Sequence, residues 1–222
     1  MSSNPKRSHS SGQTALLLSR GADAKYRTPS GDDALTVAAS YRGSSAAMKL
    51  LLDAGAAADP SDGVKARHSP LLFASMSGDI DAVALLLARG ARANPRPNPS
   101  GNSPVSEAIT FGRADVVRAL IDAGAKVDLT ERTGINLMHW ATITNRADVI
   151  PVLASAGVDI DAIDEHGYTP LMYAATIDFG ETTTAEALVA AGADKTIRNE
   201  NGRTPLAQAV HFKHARLAQV LK

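Results

Sequence analysis

The sequence has no cysteine among its 222 residues. This absence excludes a disulfide framework, a thiolate metal site and a cysteine nucleophile, and it leaves the redox compartment open. Aromatic residues make up only 4% of the chain, whereas hydrophobic residues make up 44%. Because most of these hydrophobic residues are Ala, Leu, Val and Ile, the composition is typical of a helical protein whose helices pack closely.

Neither sign of charge is in excess, since 23 Lys and Arg residues balance 23 Asp and Glu residues. Phosphate binding needs a net basic surface, so this balance argues against nucleic acid as the main partner. No apolar run approaches the roughly 20 residues of a membrane span, so no membrane-spanning segment is predicted. The polar, serine-rich residues 1–12 lack the apolar stretch of a secretory signal, which favours a cytoplasmic location. A periplasmic location stays open if the chain is a fragment.

A Gly-Ala or Gly-Val dipeptide recurs along the chain with similar flanking residues. Its period of about 34 residues is typical of stacked structural repeats. The six glycines are Gly21, Gly55, Gly90, Gly124, Gly157 and Gly192. Five of them follow an aliphatic pattern at helical spacing, and the first follows the shorter run before Arg20. Each glycine is therefore predicted to end a helix in the left-handed conformation.

A second marker keeps the same period and predicts where another helix begins. Its first residue is always Asp, Ser, Asn or Thr, whose side chains bond the free N–H groups of a first helical turn. These residues are Asp33, Ser69, Ser103, Asn136, Thr169 and Thr204. In four copies Pro follows, at a position where no N–H is needed. One unit is thus a first helix, a turn, a second helix and an extended hairpin loop.

The residues around the second marker carry a family resemblance. Residues 167–175 read Gly-Tyr-Thr-Pro-Leu-Met-Tyr-Ala-Ala, residues 202–206 read Gly-Arg-Thr-Pro-Leu, and residues 134–141 keep a His after the apolar residue. These segments resemble the ankyrin repeat signature, and the resemblance covers residues 13–222. It implies an all-α ankyrin-repeat solenoid of helix-turn-helix units joined by β-hairpin-like loops. The expected boundaries are a disordered leader 1–12, a half-repeat 13–25, and six repeats at about 26–59, 60–94, 95–128, 129–161, 162–196 and 197–222.

Several segments depart from the pattern, and two of these departures affect predicted helices. Pro151 falls inside a predicted second helix, where it removes one backbone hydrogen bond and is expected to distort the helix. Residues 13–20 read as the second helix of a repeat whose first helix is absent. Because a repeat array needs a polar cap at each end, this helix is either a half-repeat cap or the edge of a piece of a longer protein.

Motifs that carry catalytic chemistry are absent from the sequence. It has no phosphate-binding glycine loop, no nucleophile elbow and no zincin pair of histidines. His211 and His214 lack a third zinc ligand, and the acidic run from Asp159 to Glu165 lacks the spacing of a calcium loop and is interpreted as solvated. The resemblance implies that His139 bonds backbone groups of its loop and of the next repeat. The chain is therefore predicted to be no enzyme and to need no cofactor or metal.

Aromatic residues cluster on one face of the first helices. Positions spaced by three and four residues share a helix face, and in ankyrin-like arrays this face looks into the concave groove. The candidate protein-binding residues there are Tyr41, Phe73, Met76, Phe111, Trp140, Ile143, Tyr173, Ile177 and Phe212. The hairpin tips add Arg132, Glu165, Tyr168 and Arg203. The alternative is that these aromatics only fill the gap between first helices, but the face also carries Ser, Thr, Gln and Glu, as a binding patch does.

The sequence as a whole predicts a non-catalytic scaffold that binds a protein of unknown identity through the concave groove and the hairpin tips. We expect a monomer, because the chain has no heptad seam. The alternative is a regulatory or targeting module of a larger, N-terminally truncated enzyme or receptor. A third interpretation, an accessory protein of a periplasmic enzyme, requires an upstream signal peptide.

Overall fold

The computed structural model describes residues 5–29, 31–59, 69–95, 102–128, 133–177 and 179–222, with side chains from residue 11 onward. The chain divides into two compact units, Met1–Ala125 and Lys126–Lys222. Within the described ranges both units consist of α-helices joined by turns, and no strand is present apart from one isolated bridge between Arg27 and Asp33. The predicted all-α fold class is confirmed.

The first unit contains a lone helix followed by three helix pairs. In chain order these are α1 Pro5–Ser19, α2 Ala34–Ala39, α3 Ser45–Asp53, α4 Pro70–Ser77, α5 Ile80–Ala88, α6 Pro104–Thr110 and α7 Ala114–Asp122. The second unit contains three pairs, α8 Leu137–Ile143, α9 Ile150–Ser155, α10 Pro170–Thr176, α11 Thr183–Ala190, α12 Pro205–His211 and α13 Ala215–Val220. We call α2, α4, α6, α8, α10 and α12 the first helices, and the others the second helices.

The predicted helix starts are confirmed at all six first helices. Each begins after the expected polar residue, whose side chain accepts a hydrogen bond from a backbone N–H of the first turn. Pro occupies the first turn of α4, α6, α10 and α12. The six glycines of the Gly-Ala marker all have positive φ angles between 79° and 97°. Local chemistry therefore fixes where each pair of helices starts and ends.

Helices pack on their equivalents in the neighbouring repeat. In the first unit α2 packs on α4 and α4 on α6, while α1, α3, α5 and α7 form a second row. In the second unit α8 packs on α10 and α10 on α12, with α9, α11 and α13 in the second row. Large aliphatic side chains between the rows are fully buried, such as Leu35, Leu71, Met138 and Leu171. Burial of these side chains supplies the main stabilisation of each unit.

Two helix boundaries differ from the sequence predictions. Helix α9 starts at Ile150, so Pro151 lies in its first turn. The N–H groups of a first turn have no intrahelical partner, so the predicted loss of a hydrogen bond is wrong. The expected local distortion is seen before the helix, where residues 147–149 form turns. Helix α1 starts at Pro5 rather than at Gln13, eight residues earlier than the repeat pattern predicts.

Candidate functional site

The first-helix face of the second unit carries half-buried apolar side chains. Trp140 and Ile143 on α8, and Tyr173 and Ile177 at α10, are neither fully buried nor fully exposed. Phe212 follows α12 and is 43% exposed. These side chains leave apolar surface accessible to a partner, while their buried parts are held by the fold.

Phe212 sits between two histidines. Its ring meets His211 edge-on at a centroid distance of 5.0 Å, and it stacks on His214 at 6.0 Å. The Nδ1 atom of His214 contacts the backbone oxygen of Ala175 at 3.0 Å. His214 is therefore tied to α10, and it steadies one side of the Phe212 ring.

Tyr173 is held in place by a buried carboxylate. Its hydroxyl donates to Oδ2 of Asp164 at 2.7 Å, and its ring lies edge-on to His139 at 5.6 Å. Asp164 is only 7% exposed, so its interpretation as part of a solvated acidic loop is wrong. The same carboxylate accepts from the backbone N–H groups of His166 and Tyr168. This hairpin therefore folds around the Asp164 carboxylate, and the same carboxylate fixes the orientation of the Tyr173 side chain.

The hydrogen bonds around Asp164 shift two pKa values. Burial raises the pKa of the Asp164 carboxyl, but the hydrogen bonds from Tyr173, Tyr168 and His166 outweigh it, so the pKa lies below its ordinary value. Burial and the bond to Asp164 raise the pKa of Tyr173. At neutral pH the pair is thus a carboxylate accepting from a neutral phenol.

Tyr168 at the hairpin tip is held by the next repeat. Its hydroxyl accepts from Nε2 of Gln208 on α12 at 2.8 Å, and its ring lies 5.6 Å from the ring of Tyr173. Gln208 is fully buried. Two tyrosines thus stand side by side with both hydroxyl groups bonded. The sequence pointed to both tyrosines but not to their bonds with Asp164 and Gln208, because these bonds join residues 9 and 40 positions apart.

His139 acts as the resemblance implies. Its Nδ1 accepts from the Asn136 N–H at 3.3 Å, and its Nε2 donates to the backbone oxygen of Tyr168 at 3.0 Å. Burial lowers the pKa of His139, although the bond to Tyr168 opposes this shift. A neutral imidazole therefore joins one hairpin to the next. Its role is structural.

Consecutive hairpins are also joined at their tips. The N–H of Glu165 donates to Thr133 O at 2.8 Å, and the N–H of Glu200 donates to His166 O at 3.3 Å. Glu165 is exposed and Arg203 is half-buried, while Arg132 lies outside the described residues. The tips of the second unit thus present charged side chains on a bonded backbone.

In the first unit the candidate residues vary more in exposure. Tyr41 and Phe111 are exposed, whereas Phe73 and Met76 are half-buried. Among the residues that the structure describes, no group of three or more His, Asp or Glu side chains is arranged to hold a metal ion. No helix in those ranges is both long and apolar enough to cross a membrane.

The comparison with protein families decides the classification. A profile of ankyrin repeats, three copies in length, matches residues 7–97, 39–131, 105–199 and 139–222. The chain belongs to the ankyrin repeat family. Ankyrin repeats generally serve as protein–protein interaction modules, and their fold is typically non-catalytic.

Individual relatives match parts of this ankyrin repeat chain. A stretch of 98 residues is 38% identical to protein PhlB of Serratia liquefaciens and covers 44% of this chain and 42% of PhlB. Ankyrin repeat and SOCS box protein 16 of Mus musculus is 35% identical over 126 residues, which are 50% of this chain and 27% of that protein. The chain thus matches less than half the length of these curated relatives.

A solved structure matches the ankyrin repeat chain over almost its full length. The crystal structure of the human ASB11 ankyrin repeat domain gives a TM-score of 0.77 and covers 99% of this chain and 96% of that one. The two sequences are 24% identical. At this identity the likeness shows the fold.

Proposed function

We propose that the protein is a non-catalytic scaffold that binds a partner protein through the first-helix face and the hairpin tips. The observation that carries the proposal is the pair Tyr168 and Tyr173, half-buried and bonded to Gln208 and Asp164. Side chains that are already ordered lose little conformational entropy on binding. Tyrosine and tryptophan are also among the residues enriched at interface hot spots.

Trp140 is the expected energetic anchor of this surface. It is half-buried on α8, whereas Leu171 on α10 is fully buried and belongs to the core. Trp140→Ala should weaken partner binding by at least about 2 kcal/mol and change stability far less than Leu171→Ala does. Arg118→Ala, an exposed change on second helix α7, should alter neither.

The experiment compares these three variants with the wild type by thermal melting and by pulldown from native extract. Proteins captured by the wild type and by Arg118→Ala, and lost with Trp140→Ala at unchanged melting temperature, support the proposal. If Trp140→Ala melts as early as Leu171→Ala, the indole fills space between helices and the surface loses its anchor.

A second proposal is that this domain is the regulatory or targeting module of a longer protein. It is favoured by the match to ankyrin repeat and SOCS box protein 16, because the matching stretch is 50% of this chain but only 27% of that longer protein. The reading frame around the coding sequence tests it directly. An adjoining in-frame domain supports this proposal, and in-frame stop codons on both sides overturn it.

A further inference from the structure

An open apolar pocket lies at α1, α2 and α3 in the first unit. Its volume is about 760 Å³, and its lining is mainly apolar. The principal lining side chains are Leu17, Leu18, Tyr26, Val37, Ala38 and Tyr41. Tyr41 therefore belongs to this pocket as well as to the first-helix face.

Four large apolar side chains of the pocket are each more than half exposed to solvent. Leu17 is 60% exposed, Tyr26 65%, Val37 52% and Tyr41 66%. They adjoin one cavity, so they form a contiguous patch rather than scattered surface residues. Contiguous exposed apolar patches mark interaction sites on folded proteins.

The other repeats of the first unit show which structural element covers such a surface. Ala38 on α2 is half-buried, whereas its equivalents Ala74 on α4 and Ala108 on α6 are 0% exposed. Helix α4 is packed against α2, and α6 is packed against α4. The side of α2 that faces the pocket is therefore the side that a short first helix covers in the following repeats.

Charge at one end of the pocket gives this helix a direction. Asp23 and Asp32 line the end at the start of α2, whereas Asp33 caps α2 and Arg42 donates to the Gly78 backbone oxygen at the end of α4. A helix carries partial positive charge at its amino end and partial negative charge at its carboxyl end. A helix parallel to α2 thus meets favourable charge at its amino end.

We propose that this pocket is a second docking site, which takes one short amphipathic helix of a partner protein. The helix runs parallel to α2 for about two turns, or about 10 Å. It presents Leu-sized and Ala-sized side chains to Val37, Ala38 and Tyr41, and its amino end lies towards Asp23 and Asp32. The site is separate from the surface around Trp140 and does not depend on the function proposed for that surface.

A single helix fits better than the edge of a second copy of this chain. Helix α12 exposes Val210 by 61%, but α12 comes with α13 packed against it. At the pocket the second-row position is already taken, because α1 packs on α3. A paired helix would collide with α1, so the pocket accepts a first helix alone.

The test uses a helix-constrained peptide that copies residues 169–177, the chain's own α10 with its cap, carrying a fluorescent label. Binding to the intact protein is measured by fluorescence anisotropy. We expect saturable binding that Val37→Arg weakens about tenfold or more, because it places an unpaired charge in an apolar contact. Val210→Arg is the matched control, since it puts the same charge on another exposed first-helix valine, and it should leave affinity within about twofold.

Two further peptides test the mode of binding. A copy carrying the Ala175→Glu change should not bind, because Ala175 lies on a face that α10 buries in the intact chain. An added amino-terminal Lys should bind about two- to fivefold tighter than an added Glu if the aspartates receive that end. The reverse order would contradict the proposed direction.

Three outcomes overturn the proposal. No saturable binding of the residue 169–177 peptide, or equal weakening by Val37→Arg and Val210→Arg, shows that the pocket takes no helix. Self-association in sedimentation that Val37→Arg abolishes assigns the pocket to a second copy. An in-frame upstream helix that protects Tyr26 and Tyr41 from chemical labelling in the longer protein assigns it to the same polypeptide.

Discussion

Helices α2 and α10 occupy the same position in their repeats but have different surroundings. In α10, Ala174 is 3% exposed, and Tyr173 is bonded to Asp164. In α2, the equivalent Ala38 is half-buried, and Val37, which replaces the tyrosine, is 52% exposed. Helix α10 packs on first helices at both sides, α8 and α12, whereas the described part of the chain shows α2 packed closely on one first helix, α4. Neighbours, more than the local sequence, decide whether a position is core or surface.

Truncation of the buried leucine in these two helices should have the largest effect. Leu171 in α10 and Leu35 in α2 are both 0% exposed. Leu171→Ala should lower the free energy of unfolding by about 2–5 kcal/mol, because it removes apolar contacts and leaves a cavity. Leu35→Ala should lower it less, because α2 borders an open pocket and can shift to fill the space. Urea denaturation checks both variants, and equal losses would show that the pocket does not let α2 relax.

Alanine substitution at two hairpin glycines distinguishes the cost of backbone strain from the cost of a close contact between repeats. Gly134 and Gly202 have φ angles of 83° and 71°, which L-residues rarely adopt. A Cβ at Gly134 would lie 2.7 Å from the backbone oxygen of Ile163, whereas a Cβ at Gly202 meets nothing within 4 Å. Gly202→Ala should cost about 1–2 kcal/mol from strain alone, and Gly134→Ala distinctly more.

Thermal melting of the two glycine variants measures this difference. The excess loss at Gly134 reports how closely one hairpin approaches the next in the second unit. If the two variants melt together, the hairpins are free to separate and the bond between Glu165 N and Thr133 O is weak.

The sequence could predict the features that depend on contacts within a single helical turn. Each capping residue, such as Asn136 or Thr169, bonds an N–H two or three residues away, so its type identifies its position. The burial of Asp164 could not be predicted in this way. Its environment depends on Tyr173, which lies on the following helix. In the sequence, the carboxylate belongs to an acidic run of the kind found in solvent-exposed loops.

One signal for Asp164 was nevertheless present. Asn199 stands at the same position in the next hairpin, and its side-chain oxygen accepts from two backbone N–H groups, those of Asn201 and Arg203. Asp164 accepts from His166 and Tyr168 with the same spacing. An Asp or Asn repeated at this register therefore indicates a hairpin that folds around its side chain, whatever charge surrounds it.

The bond between Tyr173 and Asp164 should contribute an intermediate, pH-dependent stabilisation. Tyr173→Phe removes one hydrogen bond to a buried carboxylate and should cost about 1–3 kcal/mol at neutral pH. Because the pKa of Asp164 is lowered in the folded state, its stabilisation is fully present above the ordinary Asp value of about 4 and is lost as pH falls through the folded value.

Urea denaturation of Tyr173→Phe between neutral pH and pH 3 tests both parts of this prediction. The variant should lose less stability than the wild type on acidification, because its Asp164 pKa lies closer to the unfolded value. Tyr26→Phe is the matched control, since Tyr26 is 65% exposed and its hydroxyl group should contribute nothing measurable. Parallel pH profiles for wild type and Tyr173→Phe would contradict the role of the bond.

The smallest free energies should belong to the opening of α1, whose leucines are largely exposed. Leu16 and Leu17 in α1 are 53% and 60% exposed, whereas Leu120 in α7 is 0% exposed. Helix α1 packs mainly on α3, and α7 packs on both α5 and α6. Segments with few buried contacts open at a small fraction of the global unfolding free energy.

Hydrogen exchange should therefore show amides of residues 14–19 exchanging well before those of residues 116–122. Addition of the helical peptide that fills the pocket should slow exchange in α1 and leave α7 unchanged. Equal protection of α1 and α7 in the free protein would contradict this prediction.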